Sequence, residues 1–183
     1  MHLTKDTNHI RIILHELSGD GIIDAGDYDF SIEAANDLMA YDNTLLGDTR
    51  VTYLPWAQFS DQIGVGKIDV TDGSLQYVKG AIADLSVGRM MEAHQNDMML
   101  TITGSEGNQI ARVPLLQYAL MSREYYEMAY GHTMPDQEFL DRQDEYVFTF
   151  FLDASQRWSE MHINILSWRV VVHNYGADSG DRS

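Results

Sequence analysis

Two apolar runs between Phe139 and Asn174 constrain the fold of this chain more than any other stretch. Both runs are rich in Val, Ile, Phe and Trp, and the turn-forming residues Asp153 to Gln156 separate them. This pattern is typical of a β-hairpin. In a strand alternate residues share a face, and the first run places on one face the residues Tyr146, Phe148, Phe150 and Leu152. This face is predicted to lie in the core.

The second run changes parity partway along. Its apolar residues point to one side from Met161 to Ile165 and to the other side from Leu166 to Val172. One regular strand cannot bury both sets against one partner. Either a bulge near Ser167 or a strand that passes from one sheet to another resolves the conflict. We therefore expect a sandwich of two sheets.

Alternation and turn residues predict further strands along the chain. Residues 8–17 and 27–33 are predicted as strands antiparallel to each other, and residues 50–54 as a short strand that ends at Pro55. Residues 56–63 have no period and are predicted to be a loop that packs. An extended run over residues 76–90 is expected to bulge at Gly80 and Gly88, and residues 98–103 and 108–113 to form a hairpin.

Helical spacing is confined to two places. Pro114 precedes the best helix pattern, which reaches Tyr130, and a shorter helix is predicted from Pro135 to Arg142. Residues 34–47 are interpreted as a long connection with Leu38, Tyr41 and Leu45 beneath it. Because strands and helices do not alternate, the pattern disfavours a parallel sheet and predicts a mainly β fold. We expect a Greek-key β-sandwich with one or two short helices in a crossover, formed by residues 1–175 as a single domain, with a polar tail at residues 176–183.

Composition limits the possible partners. The chain has 183 residues, of which 44% are hydrophobic, enough to fill one core. Lys and Arg number 12 against 28 Asp and Glu, a formal net charge of −16, which repels nucleic acids and anionic membrane surfaces. The absence of cysteine excludes disulfides, thiol catalysis and cysteine-bound zinc. No secretory leader precedes the first strand pattern, so either the protein stays inside the cell or the chain is part of a longer protein.

The segment from Glu16 to Asp27 is similar to a calcium-binding loop of the EF-hand type. Oxygen-bearing side chains occupy its positions one, three, five, nine and twelve, and glycine occupies position six. However, its flanks are predicted strands, and Glu16 and Ser18 replace the expected aspartates. An acidic hairpin loop therefore explains the segment better, and no cofactor is predicted, with calcium kept as an alternative.

Other candidate residues do not form a site motif. The histidines have no HExxH or HxH spacing, and Ser86 has no GxSxG elbow around it. Residues 64–67 match only part of a phosphate-binding loop. Three tryptophans could form a sugar-stacking platform, although Trp168 is predicted to be core. No catalytic, cofactor-binding or metal-binding residue is therefore assigned. The tryptophans are Trp56, Trp158 and Trp168, and the histidines considered are His9, His15, His94, His132, His162 and His173. The last two histidines are predicted to lie at opposite ends of the final strand.

Short phrases in order along nearly the whole chain resemble a known family. They are residues 3–11 (LTKDTNHIR), 41–43 (YDN), 53–56 (YLPW), 83–90 (ADLSVGRM), 113–118 (VPLLQY), 137–146 (QEFLDRQDEY), 150–153 (FFLD) and 165–170 (ILSWRV). The chain resembles FimB-type anchor proteins, the fimbrillin-associated anchor subunits of Bacteroides-type (type V) fimbriae.

This resemblance implies a transthyretin-like β-sandwich, the second domain of a two-domain lipoprotein. The lipidated cysteine would lie in an N-terminal domain outside this chain, so no membrane contact is expected of the chain itself. The implied role is non-enzymatic: the domain docks fimbrial subunits at the outer membrane, at the base of the surface-exposed fimbrium, and limits polymer length. Such docking uses sheet edges that accept or donate a strand.

Two other hypotheses remain open. The first is a secreted β-sandwich module that binds carbohydrate or calcium, which the acidic loop and the aromatic residues favour. The second is an enzyme. It is the least favoured of the three hypotheses, because no nucleophile, acid-base pair or metal constellation is found.

Overall fold

The computed structural model describes residues 6–17, 22–35, 40, 50–68, 71, 73, 75–94, 97–165 and 168–174. Within these residues, the strands are β1 (Thr7–Glu16), β2 (Tyr28–Ala35), β3 (Arg50–Tyr53), β4 (Ala57–Ile68), β5 (Leu75–Gly88), β6 (Met99–Gly104), β7 (Gln109–Pro114), β8 (Glu145–Leu152), β9 (Trp158–Ile165) and β10 (Trp168–His173). The helices are α1 (Leu115–Met121), α2 (Arg123–Tyr130) and α3 (Asp136–Arg142), and short 3-10 turns span Ala25–Asp27 and Glu92–His94. No described helix has the length and apolar character that crossing a membrane requires.

The strands form two sheets around a shared core, which confirms the mainly β sandwich. One sheet has the order β10-β9-β8-β1-β5-β4, and the other has the order β3-β2-β6-β7. Buried residues of both sheets belong to one hydrophobic cluster. Its central members are fully buried, each contributing roughly 1.5–3 kcal/mol by transfer from water; they include Ile10, Ile12, Leu14, Ile32, Leu100, Ile102, Phe148 and Phe150.

Alternating burial confirms the residues that the sequence predicts to be inside. In β8 every second residue from Tyr146 to Leu152 is buried, and in β9 Met161 and Ile163 are buried. The hairpin of β8 with β9 and that of β6 with β7 both form as predicted. The shorter predicted helix is α3, whereas the longer one is divided at Ser122, which is buried and donates a hydrogen bond to the Ala119 carbonyl at 2.5 Å.

The predicted pairing of β2 with β1 is wrong, because β2 lies in the other sheet, between β3 and β6. Between β1 and β2, the Asp24 carboxylate accepts a hydrogen bond from the Gly26 amide at 2.9 Å and opens a 3-10 turn that redirects the chain. Alternation reveals which residues are buried but not which sheet buries them. The error therefore concerns the partner of the strand and not its existence.

The predicted loop at residues 56–63 is also wrong, because from Ala57 onward it forms β4. This strand lies at a sheet edge, and residues 58–62 are exposed on both faces of the strand. Their sequence therefore lacks the alternation of apolar and polar residues that predicts a strand. The predicted bulges of β5 lie instead in β4, where the register shifts between Gln62 and Gly64 and again between Val65 and Lys67. By contrast, β5 pairs with β1 without a break.

The C-terminal run is two strands and not one. Trp168 lies opposite Ile165, and β10 runs antiparallel to β9 within the same sheet. Because the chain reverses direction between β9 and β10, the apolar residues of both strands can share one face although their sequence positions differ in parity. Neither the bulge near Ser167 nor the change of sheet is therefore needed. Residues 166 and 167, most of the predicted connection at 34–47 and the tail at 176–183 lie outside the described residues.

The six-stranded sheet contains a parallel pair, which the sequence pattern disfavoured. β1 and β8 run parallel, with His9 opposite Glu145 and Glu16 opposite Leu152. The chain between them builds β2 to β7 and all three described helices, so the connection is far longer than a βαβ unit. The sheet is therefore mixed.

Candidate docking surfaces

In the part of the chain that the structure describes, the two sheets have four edges, and each edge strand has a row of backbone groups that no described strand pairs. β10 and β4 end the larger sheet, and β3 and β7 end the smaller one. Such edges can take a strand from another protein unless they are short, bulged or covered. Their regularity therefore decides which of them can dock a partner.

Three of the edges carry protective features. β4 contains the two register shifts, and two of its side chains are held by the segment before β2: the Gln58 amide donates to the Ala25 carbonyl at 2.6 Å, and the Ser60 hydroxyl accepts from the Ala25 amide at 2.8 Å. β3 has only four residues. The register of β7 shifts opposite the end of β6, and β7 ends at Pro114.

β10 is the least protected edge. It pairs with β9 through six consecutive residue pairs without a shift, and it contains three consecutive valines. Val171 is 42% exposed, whereas Val172 packs against the core. A strand added to β10 would extend both the sheet and the hydrophobic surface beneath it.

An aromatic and histidine cluster lies on the outer face of the sheet next to β10. The Phe151 ring lies 4.9 Å from the His15 ring and 4.4 Å from the His162 ring, measured between centroids. The Glu160 carboxylate contacts His162 and lies 3.5 Å from Nδ1 of His173. The prediction that His162 and His173 occupy opposite ends of one strand is therefore wrong, because they lie on adjacent antiparallel strands and share a carboxylate.

A buried ion pair occupies the same outer face nearer β4. The Arg11 guanidinium donates to both oxygens of Asp84, at 2.7 and 2.9 Å, and Asp84 is only 2% exposed. The hydrogen bond from Arg11 lowers the pKa of Asp84, although burial opposes this shift, and the same bond raises the pKa of Arg11. His9 Nε2 lies 3.4 Å from Asp84 Oδ1 and has no well-aligned hydrogen bond. A single carboxylate between Ala83 and Leu85 was the sequence signal for this pair.

The three tryptophans do not form one platform. Trp56 is 65% exposed beside the ion pair, whereas Trp158 is 9% exposed and its ring meets the Phe150 ring edge-on at 5.9 Å. Trp168 lies in β10, and its side chain is outside the described part of the structure. Of the two tryptophan side chains that the structure describes, Trp56 is the one placed as a surface platform would require.

The described C-terminal part of the acidic segment, residues 22–24 and Asp27, forms one wall of a shallow cleft at an end of the sandwich. This cleft has a volume of about 550 Å³, and the turns that follow β6 and β8 form its other walls. Residues 18–21 lie outside the described part, and Asp24 serves as the cap of the 3-10 turn. Within the described ranges, no group of three or more His, Asp or Glu residues is arranged to hold a metal ion. The absence of a cofactor, with calcium as the alternative, therefore stays a prediction from the sequence.

The remaining candidates are dispersed. His94 lies 3.2 Å from the Asp97 carboxylate, and His132 is exposed between α2 and α3. Ser86 is exposed on β5, and residues 64–67 are part of β4, so neither occupies the strand-to-helix turn that a nucleophile elbow or phosphate loop needs.

Together the fold and its edges define a β-sandwich domain in which, among the described residues, β10 is a regular edge strand. A sequence model of the fimbrillin-A associated anchor proteins Mfa1 and Mfa2 matches residues 1–174. The chain belongs to this family of fimbrial anchor proteins, which confirms the resemblance. No match was found among curated proteins.

Solved structures from Bacteroides share the fold. A candidate adhesin from Bacteroides thetaiotaomicron is 34% identical, with a TM-score of 0.76 over 91% of this chain and 52% of that one. Candidate polysaccharide-binding proteins from the same organism are 26% identical, with a TM-score of 0.67 over 93% of this chain and 52% of that one. A candidate adhesin from Bacteroides ovatus shows the fold alone, at 21% identity and a TM-score of 0.64 over 94% of this chain and 51% of that one.

The chain spans about half the length of each of these solved chains. Family membership and the adhesin neighbours indicate a cell-surface role of the fimbrial type.

Proposed function

We propose that this chain is a non-enzymatic domain of a fimbrial anchor or minor subunit, which docks fimbrial subunits at the outer membrane and limits the length of the polymer. The observation that carries the proposal is the family match over residues 1–174. The greater length of the solved relatives is consistent with attachment to the membrane through a further, lipidated domain on the N-terminal side.

The docking contact in this proposal is addition of a strand to β10. A partner strand would gain backbone hydrogen bonds along the unbroken register of β10. Its side chains would lie beside Val171 on the outer face and Val172 on the core side, so apolar residues at alternate positions fit best. A chain that only presents an edge and ends the polymer needs no catalytic group.

Pull-down from fimbriated cells with the tagged protein tests this contact. The purified chain should recover a fimbrial subunit, and Val171→Lys should lose it, because lysine on an edge strand opposes pairing with another strand. Gln62→Lys places the same charge on the edge of β4 and serves as the matched control, with recovery expected to equal that of the unmodified protein.

Recovery of no fimbrial subunit by the unmodified protein would contradict the docking role. If Val171→Lys recovers as much fimbrial subunit as the unmodified protein does, the docking role would stand, but β10 would not be the contact.

A further inference from the structure

Trp56 combines a large apolar ring with unusual exposure. Tryptophan is highly buried on average, yet Trp56 is 65% exposed. Its backbone is held against β5, because its amide donates to the Asp84 carbonyl at 3.0 Å. The ring therefore starts from a rigid position at the beginning of β4.

The indole reaches across one strand of the sheet. Its centroid lies 5.8 Å from that of the His9 ring on β1, and β5 lies between β4 and β1. The ring must consequently lie over β5, where Asp84 is opposite Ala57 and Ser86 is opposite His9. With 65% of the side chain exposed, much of the indole surface faces water.

Polar side chains lie on the same outer face of the sheet, on the neighbouring strands β5, β1 and β8. Ser86 is exposed on β5, and Glu145, opposite His9 on β8, is 51% exposed with Oε1 3.8 Å from Nδ1 of His9. The Arg11 guanidinium is held by Asp84 and is partly exposed. A flat apolar ring, with a hydroxyl, a carboxylate and a guanidinium on the neighbouring strands of the same face, matches the two parts of a pyranose, an apolar face of C–H groups and a rim of hydroxyls.

From this arrangement we propose that Trp56, Ser86 and Glu145 form a binding site for neutral oligosaccharides. The contact with the His9 ring accounts for only one side of the indole and does not explain why 65% of the side chain is left in water. A protein partner would need an interface on the order of 1,000 Å², far more than one ring with a polar margin provides. Acidic sugars are disfavoured by Glu145 and by the net charge of −16.

Titration with defined oligosaccharides tests the site. Cellohexaose, xylohexaose, mannohexaose and laminarihexaose are the neutral probes, and polygalacturonate is the acidic one. At least one neutral probe should bind and shift the tryptophan emission to shorter wavelength, while polygalacturonate should not bind. Trp56→Ala should weaken binding by about tenfold or more, the effect expected for loss of an aromatic anchor.

Two variants separate binding from structural support. Trp56→Phe keeps an aromatic ring at this position and should bind more weakly than the unmodified protein, and without the emission shift. Tyr77→Ala removes a different aromatic side chain, which lies on β5 and is 53% exposed. This variant should bind the probes normally.

Absence of binding by all neutral probes, or equal binding by Trp56→Ala, would overturn the proposal. So would loss of fimbrial subunit recovery in Trp56→Ala without any sugar binding, because the surface would then belong to a protein partner. Failure of the β10 docking test leaves this result unaffected, since the two surfaces use different residues.

Discussion

Gln156 and Gly107 hold the same place in two turns of the same geometry. In the turn after β6, the Gly107 amide donates to the Gly104 carbonyl and the Gly104 amide to the Asn108 carbonyl, both at 2.9 Å. In the turn after β8, Gln156 and Asp153 make the corresponding bonds, with Asp153 paired to Arg157 at 2.8 Å. The two residues have φ values of 76° and 58°. Only the glycine adopts this left-handed conformation without steric cost, whereas the Gln156 side chain accepts a hydrogen bond from the Tyr28 hydroxyl at 2.7 Å.

The first prediction concerns Gly107. Replacement by alanine should lower the free energy of unfolding by ~1 kcal/mol, because a Cβ at positive φ meets the following carbonyl. No atom outside the turn lies within 4 Å of the added Cβ, so the cost is one of backbone conformation alone. Gly107→Asn is the control and should cost less, since asparagine tolerates this conformation. Equal losses for both variants in urea denaturation would contradict this explanation.

The second prediction concerns the ion pair on the outer face of the larger sheet. Arg11→Met leaves the buried Asp84 carboxylate without its guanidinium and should lower the free energy of unfolding at pH 7 by ~2 kcal/mol, less than for a fully buried pair because Arg11 is 37% exposed. Arg142→Met, in an exposed pair with Glu138, is the control and should change stability little. A double-mutant cycle with Asp84→Asn measures the coupling, and a coupling near zero would show that the pair is not stabilising.

The same pair predicts a dependence on pH. The folded-state pKa of Asp84 lies below its ordinary value of 3.8, so its stabilisation is present above that value and is lost as pH falls through the folded pKa. In Arg11→Met the buried carboxylate lacks its partner, and protonation relieves the cost. The stability gap between the two proteins should therefore narrow as the pH is lowered from 7 to about 3. A constant gap in urea denaturation would contradict this assignment.

The alternation of apolar and polar residues along a strand explains why the sequence could predict the buried faces of strands. Alternation in β1 and β8 identified the buried faces, because a strand side chain has only two directions. Partner choice was not accessible: the parallel contact of Ile10 with Tyr146 joins residues at opposite ends of the chain, and nothing local encodes it. The grouping of Trp56 with Ser86 and Glu145 could not be predicted for the same reason. Trp56 lies at the start of β4 and the other two residues lie on β5 and β8, and the sequence pattern did not reveal the order of these strands.

The third prediction concerns Gly80. A Cβ at this position would overlap the Leu14 carbonyl oxygen and the Ile63 side chain, and the carbonyl is backbone that cannot move freely. Gly80→Ala should therefore lower the free energy of unfolding by about 1–3 kcal/mol. Gly26→Ala is the matched control: its Cβ would lie 3.5 Å from Asp24 Oδ1, an ordinary contact, and its effect should stay within ~0.5 kcal/mol. Similar losses for the two variants would show that strand and turn glycines are required for backbone freedom and not for close approach.

The fourth prediction concerns the Tyr146 hydroxyl, which is buried in β8 without a hydrogen-bond partner among the described residues. Burial, reinforced by the charge of Asp141, raises the pKa of Tyr146, so the hydroxyl stays protonated and its desolvation is uncompensated. Tyr146→Phe removes the polar atom and keeps the ring, and should raise the free energy of unfolding by ~1 kcal/mol. Tyr28→Phe, which loses the bond to Gln156, should not raise it. Destabilisation by Tyr146→Phe would mean that the hydroxyl is satisfied by an ordered water.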